Sequence, residues 1–383
     1  MAGVHHIYLI PGFFGFADLG GIPYFHHVRE FLRDVLSDVG VDARVTTVAT
    51  LPTASIRHRA GRLLSTIEAD AAEDDAPIHL IGHSTGGLDA RLLVTPHVAL
   101  GADRNVESVA TRVRSVISVA TPHQGTPLAG FFGSLTGKKA LWALSLASIY
   151  TLRFGRLPLS VLFRLVGVIA KLDGHLGLRH NVLDQVYRDL LADFDTEREA
   201  AIAEFLEHVR SDQSLLRQLT PEGIDLFNAS TGDRPGVRYG SVVTWARRPS
   251  LRANLDIGLD PYLQATQGLY RALWWMSSRS RAECPLSAAQ RAALLDVWGE
   301  VPELRDNDGM VPTLAQAWGE IIHAARADHL DVCGHFHDPE HDPPHVDWVA
   351  TGSGFRRPAF ESLWTDVAAF IAGAAQGASP DEA

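Results

Sequence analysis

Cysteine is nearly absent from this chain, with Cys284 and Cys333 the two examples in 383 residues. Two thiols cannot make a disulfide framework, so they either form one bridge or stay free, and the core must hold the fold. Basic residues are in deficit. Lysine and arginine number 34 against 45 aspartates and glutamates, for a net charge of −11, and no long basic run occurs. A nucleic-acid partner is therefore not expected. Long hydrophobic runs are missing too. The most apolar window, residues 140–152, is stopped by Lys139 and Arg153, short of the ~18 residues of a membrane span. No basic-then-apolar leader with a small-residue cleavage site precedes residues 4–10. As written, that pattern reads as cytoplasmic; a secreted protein would follow if a leader had been removed.

What is present is alternation. Residues 4–10, 43–48, 78–81 and 113–120 read as buried strands. Between them, residues 24–39, 57–72 and 85–94 carry helical periodicity, the first through Phe25, Val28, Phe31, Leu32 and Val35. Such βα alternation with short connections predicts a mostly parallel central sheet with helices on both faces, an α/β fold. Residues 1–126 would form its first part. Residues 127–220 are helical and unusually apolar through 131–176, with Leu141, Trp142, Leu144, Tyr150 and Phe163 among them. They read either as a buried helical subdomain or as a lid or cap insertion over an apolar site. The β pattern returns at 236–245. Residues 221–375 complete the core around an irregular insert at 246–304, with a strand-to-loop element at 328–334 and a closing helix at 360–374. Residues 376–383 read as a flexible tail.

One motif carries chemistry. The apolar run at 77–81 feeds Gly82-His83-Ser84-Thr85-Gly86, and a helix follows. A G-x-S-x-G between strand and helix is a nucleophile elbow: a turn too tight for side chains at its flanks lifts the serine hydroxyl above the sheet edge. Thr85, opening the helix, has a free backbone N–H for a developing oxyanion. A second donor is expected from the loop after the first strand, where Pro11-Gly12-Phe13 offers the Phe13 amide. His83 reads as a packed residue of the elbow, and Asp89 and Arg91 as structural or surface charges.

A serine needs a base, and the base a carboxylate to orient it. In chain order Ser, acid, His, the acid is sought in Asp306-Asn307-Asp308-Gly309. Asp308 is preferred because Gly309 lets the backbone bend beside it; Asp306 is the rival. Of the histidines beyond it, His329 in Asp328-His329-Leu330-Asp331 is the base, with His335 the alternative. The reaction expected is hydrolysis of a carboxylic ester with an apolar acyl group. An acyltransferase, or an aliphatic polyester depolymerase, would use the same acyl-enzyme. A non-catalytic binding protein on this scaffold belongs to another class, and an intact triad argues against it.

Taken together, the Phe13 loop, Ile81-Gly82-His83-Ser84-Thr85-Gly86-Gly87-Leu88, Ala120-Thr121-Pro122-His123-Gln124-Gly125-Thr126, Asn307-Asp308-Gly309 and His329-Leu330-Asp331 resemble the bacterial true lipases of the Pseudomonas/Burkholderia type, and more loosely the thermophilic Bacillus lipases. The resemblance implies the α/β-hydrolase fold and a triacylglycerol lipase-like carboxylester hydrolase of lipid degradation. It also implies an apolar acyl cleft beneath a lid that touches lipid interfaces transiently, with Ser84, Asp308 and His329 as triad. Pro11-Gly12 departs from the usual His-Gly of that family. The chemistry requires no cofactor. The resemblance implies a structural calcium near the base, with Asp331 as a ligand; the oxygen-rich stretch 338–342 suits a hard cation. The alternative is a solvated or salt-bridged carboxylate. The histidines at 335, 337, 341 and 345 are too irregularly spaced for zinc.

Overall fold

The structure, a computed structural model, describes residues 4–17, 23–71, 75–101, 105–154, 156–163, 190–191, 193–250, 260–280, 283–338, 347, 349 and 351–376. Six strands, β1 (His5–Ile10), β2 (Ala43–Thr47), β3 (Ile78–His83), β4 (Val113–Val119), β5 (Arg238–Thr244) and β6 (Glu320–Ala325), form one sheet in the order β2-β1-β3-β4-β5-β6. Every pairing in it is parallel.

The side-chain period of two splits the strands between two cores. In β1, Ile7 and Leu9 join one buried cluster while Tyr8 and Ile10 join another. The first cluster is covered by α1 (Val28–Asp38) through Val28, Leu32 and Leu36. The second is covered by α2 (Ile56–Ala71) and α3 (Thr85–Val94), through Leu63, Leu64, Ala90 and Leu93. Helices therefore lie on both faces, as the alternation predicts. A short α4 (Val106–Ala110) leads into β4.

Over the first cluster come α5 (Pro127–Gly133), α6 (Leu135–Phe154), α7 (Thr196–Ser211) and α8 (Ser214–Gln218), while α9 (Pro221–Ser230) packs Ile224 and Phe227 into a smaller separate cluster. α6 sends Leu141, Leu144, Leu146, Ile149 and Tyr150 into that same cluster, continuous with the sheet. Residues 164–189 lie outside the described residues.

The C-terminal half departs from the sequence reading in three places. The stretch 246–304 is not simply irregular: it carries α10 (Pro261–Ser277) and α11 (Ala288–Trp298). Their signals were in the sequence. Pro261 follows the capping Asp260, and Ser287 and Gln290 form a reciprocal capping box. The last strand is β6, not 328–334, which is a loop with a 3-10 turn at Asp331–Cys333. β6 is a half-exposed edge strand whose apolar residues do not alternate with polar ones. The closing helix, α12 (Arg357–Gln376), extends past the residues expected. Cys284 and Cys333 are both free thiols.

Candidate active site

The site gathers at the carboxyl ends of the strands, where β1 has β2 on one side and β3 on the other. In a parallel sheet that reversal opens a crevice for ligands. Ile10 pairs with Gly82, so the loop after β1 and the elbow after β3 emerge side by side. Ser84 sits at φ 53°, ψ −125°, a conformation unusual for a residue with a Cβ and costing about 1–3 kcal/mol. Its flanks explain how the turn closes. A Cβ on Gly82 would lie 2.3 Å from the Gly86 backbone, and one on Gly86 would lie 2.3 Å from the Ile10 carbonyl oxygen. The Ser84 N–H is satisfied by the Val119 carbonyl at 2.8 Å. Its hydroxyl does not cap α3.

Asp308 lies within hydrogen-bond distance of His329, Nδ1 to Oδ2 2.7 Å. The pair is buried, at 0% and 5% side-chain exposure. With Nδ1 donating to the carboxylate, Nε2 is the ring's remaining acceptor. Four other donors reach the same carboxyl. Thr244 Oγ1 (2.8 Å) and Gln316 Nε2 (3.2 Å) share Oδ2; the Met310 and Val311 amides, at 2.9 and 2.8 Å, reach Oδ1. The main chain adds His329 N–H to the Asp308 carbonyl, 3.1 Å. Thr244 and Gln316 were not picked out in the sequence. Thr244 ends β5 at the sheet's functional edge, which is the one cue that marks it.

The rivals are engaged elsewhere. Asp306 accepts from the Arg248 guanidinium, with Nη2 at 2.7 Å. His335 donates from Nε2 to the Tyr24 carbonyl at 2.8 Å, and burial depresses its pKa to about 4. His83 and Asp89 are fully buried and Arg91 nearly so. Neither charge is a surface charge: Asp89 pairs with Arg59 at 2.8 Å, and Arg91 stacks on the Trp318 ring at 3.4 Å.

Ser84, His329, Phe13 and Thr85 line one cavity of about 90 Å³, whose remaining wall is mainly apolar and includes Phe132, Leu141 and Leu144. The residues picked from the sequence as nucleophile, base and oxyanion donors thus meet at one space, with Asp308 behind the base.

Beside the base, Asp328, Asp331 and Asp347 each offer an oxygen within 4.8 Å of the others. Burial first, then the neighbouring carboxylates, push Asp331 and Asp347 well above the ordinary carboxylate range. The buried Asp328 and Asp331 and the half-buried Asp347 supply oxygen donors of the kind a hard divalent cation takes. Of the stretch 338–342 only Asp338 is described, and it is not in this cluster. His341 and His345 also lie outside the described residues.

No protein-family model matches the chain. A triacylglycerol lipase of Vibrio cholerae is 34% identical over 120 residues, 29% of this chain and 36% of that protein. The chain thus spans about a third of that relative's length. Among solved structures, EstA from Clostridium botulinum superposes with a TM-score of 0.51 at 17% identity, covering 97% of this chain and 87% of that one. Lipase 1 from Pelosinus fermentans gives 0.51 at 18%, covering 96% and 98%. No helix among the described residues is long and apolar enough to cross a membrane. The parallel sheet, its strand order and these superpositions together show the α/β-hydrolase fold.

Proposed function

We propose that the protein is a serine carboxylester hydrolase acting on esters with apolar acyl groups, a lipase or esterase. The observation that carries this reading is the shared cavity, in which a strained Ser84 faces apolar walls beside a His329 whose Nδ1 is held by Asp308. Ser84 attacks the ester carbonyl as His329 Nε2 takes its proton; the Phe13 and Thr85 amides receive the oxyanion. His329 then protonates the departing alcohol, and water releases the acid by the same steps in reverse. Acyl transfer to an alcohol and polyester cleavage share the first half of this sequence. The Vibrio cholerae relative and the esterase and lipase neighbours support the ester-cleaving reading, and the resemblance of the Ser84, Asp308 and His329 motifs to those of the Pseudomonas/Burkholderia-type lipases favours a lipase of that type. Labelling with a fluorophosphonate tests it. Wild type should label and turn over p-nitrophenyl esters; Ser84→Ala should do neither. Unlabelled, folded wild type would refute the reading and leave the binding-protein alternative.

We assign the region 127–220 the role of a lid. Phe132, Leu141 and Leu144 of its helices line the cavity that holds Ser84, so a change in their packing would change the space open to an acyl chain. Phe154, Leu159 and Phe163, 44%, 43% and 56% exposed, present apolar side chains where such a lid would meet a lipid interface. Calcium is the proposed occupant of the Asp328, Asp331 and Asp347 cluster, as a structural ion joining the base loop to the segment near 347. Melting temperature should rise by a few degrees in millimolar CaCl2 over EDTA, as expected for a ligand bound only by the folded state. Asp347→Asn should erase the difference. Equal melting in both buffers would remove the ion from this account.

A further inference from the structure

Gly12, which precedes the proposed donor Phe13, has both its backbone polar groups gripped by buried side chains. Its N–H donates to Tyr24 Oη at 2.9 Å, and its carbonyl accepts from Arg59 Nη2 at 3.0 Å. Arg59 also takes the Pro11 carbonyl at 2.8 Å and is neutralised by Asp89. In a planar trans peptide the Gly12 carbonyl and the Phe13 N–H point in opposite directions. Fixing one aims the other.

The Tyr24 grip continues past the loop. Tyr24 Oη lies 2.7 Å from His83 Nδ1, and His83 Nε2 lies 2.8 Å from the carbonyl oxygen of His329. A carbonyl only accepts, so Nε2 carries the His83 proton and Nδ1 accepts. Tyr24 must then donate to His83 while accepting from Gly12. One arrangement of protons satisfies every group. Burial keeps it so: it holds His83 neutral, well below the usual imidazole range, and drives the Tyr24 phenol well above its own. There is also no room for slack, since a Cβ on Gly12 would lie 2.7 Å from Tyr24 Oη and 2.6 Å from Ser84 Cβ.

We propose that Tyr24 and His83 are positioning residues: their hydrogen-bond chain, from the Gly12 N–H to the His329 carbonyl, locks the oxyanion loop and the base loop in one register around Ser84. This rests on the triad reading above. Tyr24 borders the cavity, but its hydroxyl is taken up by the Gly12 N–H and His83, so the chain's polar contribution is to the transition state, where misplacement of a donor is costly, rather than to binding.

Steady-state kinetics on p-nitrophenyl butyrate test it, with wild type, Tyr24→Phe, His83→Leu, His83→Gln and the Tyr24→Phe/His83→Leu double variant, each checked for folding by near-UV circular dichroism. Tyr24→Phe and His83→Leu should each lose about 10- to 100-fold in kcat, with KM within about threefold. His83→Gln should recover much of the loss, because its amide can donate to the His329 carbonyl and accept from Tyr24. The double variant should be no slower than the slower single, as expected for residues acting as one unit. A folded Tyr24→Phe with wild-type kcat, a loss confined to KM, or multiplicative losses in the double variant would overturn the proposal. Should Tyr24→Phe not fold, His83→Leu against His83→Gln decides by the same criteria. Failure of the triad reading looks different, because wild type would then show no Ser84-dependent labelling.

Discussion

The floor and the roof of the cavity are held by different forces. On the floor, the Asp308 carboxyl takes five donors, the Gly12 peptide is gripped from two sides, and Arg59 and Asp89 are a buried ion pair. The roof, α5 and α6, enters the core through Leu128, Phe132, Leu141, Leu144 and Ile149. Of its polar ties, Thr126 Oγ1 reaches the Met310 carbonyl at 2.6 Å. Hydrogen bonds are directional, so the floor admits one geometry. Apolar packing is non-directional and can be remade at similar cost in another arrangement. That division suits chemistry that must be fixed beneath a substrate site that must adapt.

The sharpest way to break the comparison is to spoil one floor bond without changing its shape. Asp308→Asn keeps volume but presents the wrong polarity to His329 Nδ1. Turnover should drop about 10⁴-fold, the scale seen when a triad acid becomes its amide, with KM little changed. A loss below about tenfold would mean Asp308 does not orient the base, and the floor's donors would serve stability alone.

Acid offers a second test, on folding rather than rate. The sheet beneath the site contains His79, whose pKa is pushed down to about 3 by burial, then by neighbouring His5 and Arg114. Its unfolded counterpart titrates near 6.5. Below pH 6.5 the unfolded chain gains a proton that the folded one refuses. Stability is therefore complete above 6.5 and declines as pH falls toward 3, by up to about 1.4 kcal/mol per unit for this one residue. Urea midpoints measured from pH 7 to 4 should fall less steeply in His79→Gln than in wild type. Parallel slopes would show that this histidine is not held neutral.

The floor was also the more legible region in sequence, and for the same physical reason. A tight turn needs glycines at fixed spacing, so Gly82 and Gly86 announce Ser84. A turn cluster with the right chain order announces Asp308, and the structure sets that residue against His329, 21 residues further on. Tyr24, Arg59, Thr244 and Gln316 were silent because each acts through a partner distant in sequence, and no local spacing encodes that. The strand Glu320–Ala325 was missed because its apolar residues, Ile321, Ile322, Ala324 and Ala325, fall in adjacent pairs and do not alternate with polar ones. Helix α11 is weakly amphipathic, with Leu294 its buried residue, but α10 carries both a cap and an apolar repeat at Tyr262, Ala265, Leu269 and Leu273, so its signal was present in the sequence.

The roof should respond gently. Leu144 is 7% exposed and lines the cavity over Ser84, so Leu144→Ala enlarges the acyl space without touching a donor. A methylene in an apolar pocket is worth about 1–3 kcal/mol at most, and a roof that repacks would recover part of that. The ratio of kcat/KM for p-nitrophenyl octanoate over butyrate should therefore rise only a few-fold, with kcat on butyrate nearly unchanged. A collapse of kcat on the short ester would show that the roof also sets the catalytic geometry, and the contrast between directional floor and adaptable roof would fail. A chain-length ratio that does not move would place the acyl group elsewhere in the molecule. A few-fold shift at constant kcat is what separable regions require: under the proposed function the floor would set how fast an ester is cleaved, and the roof which one.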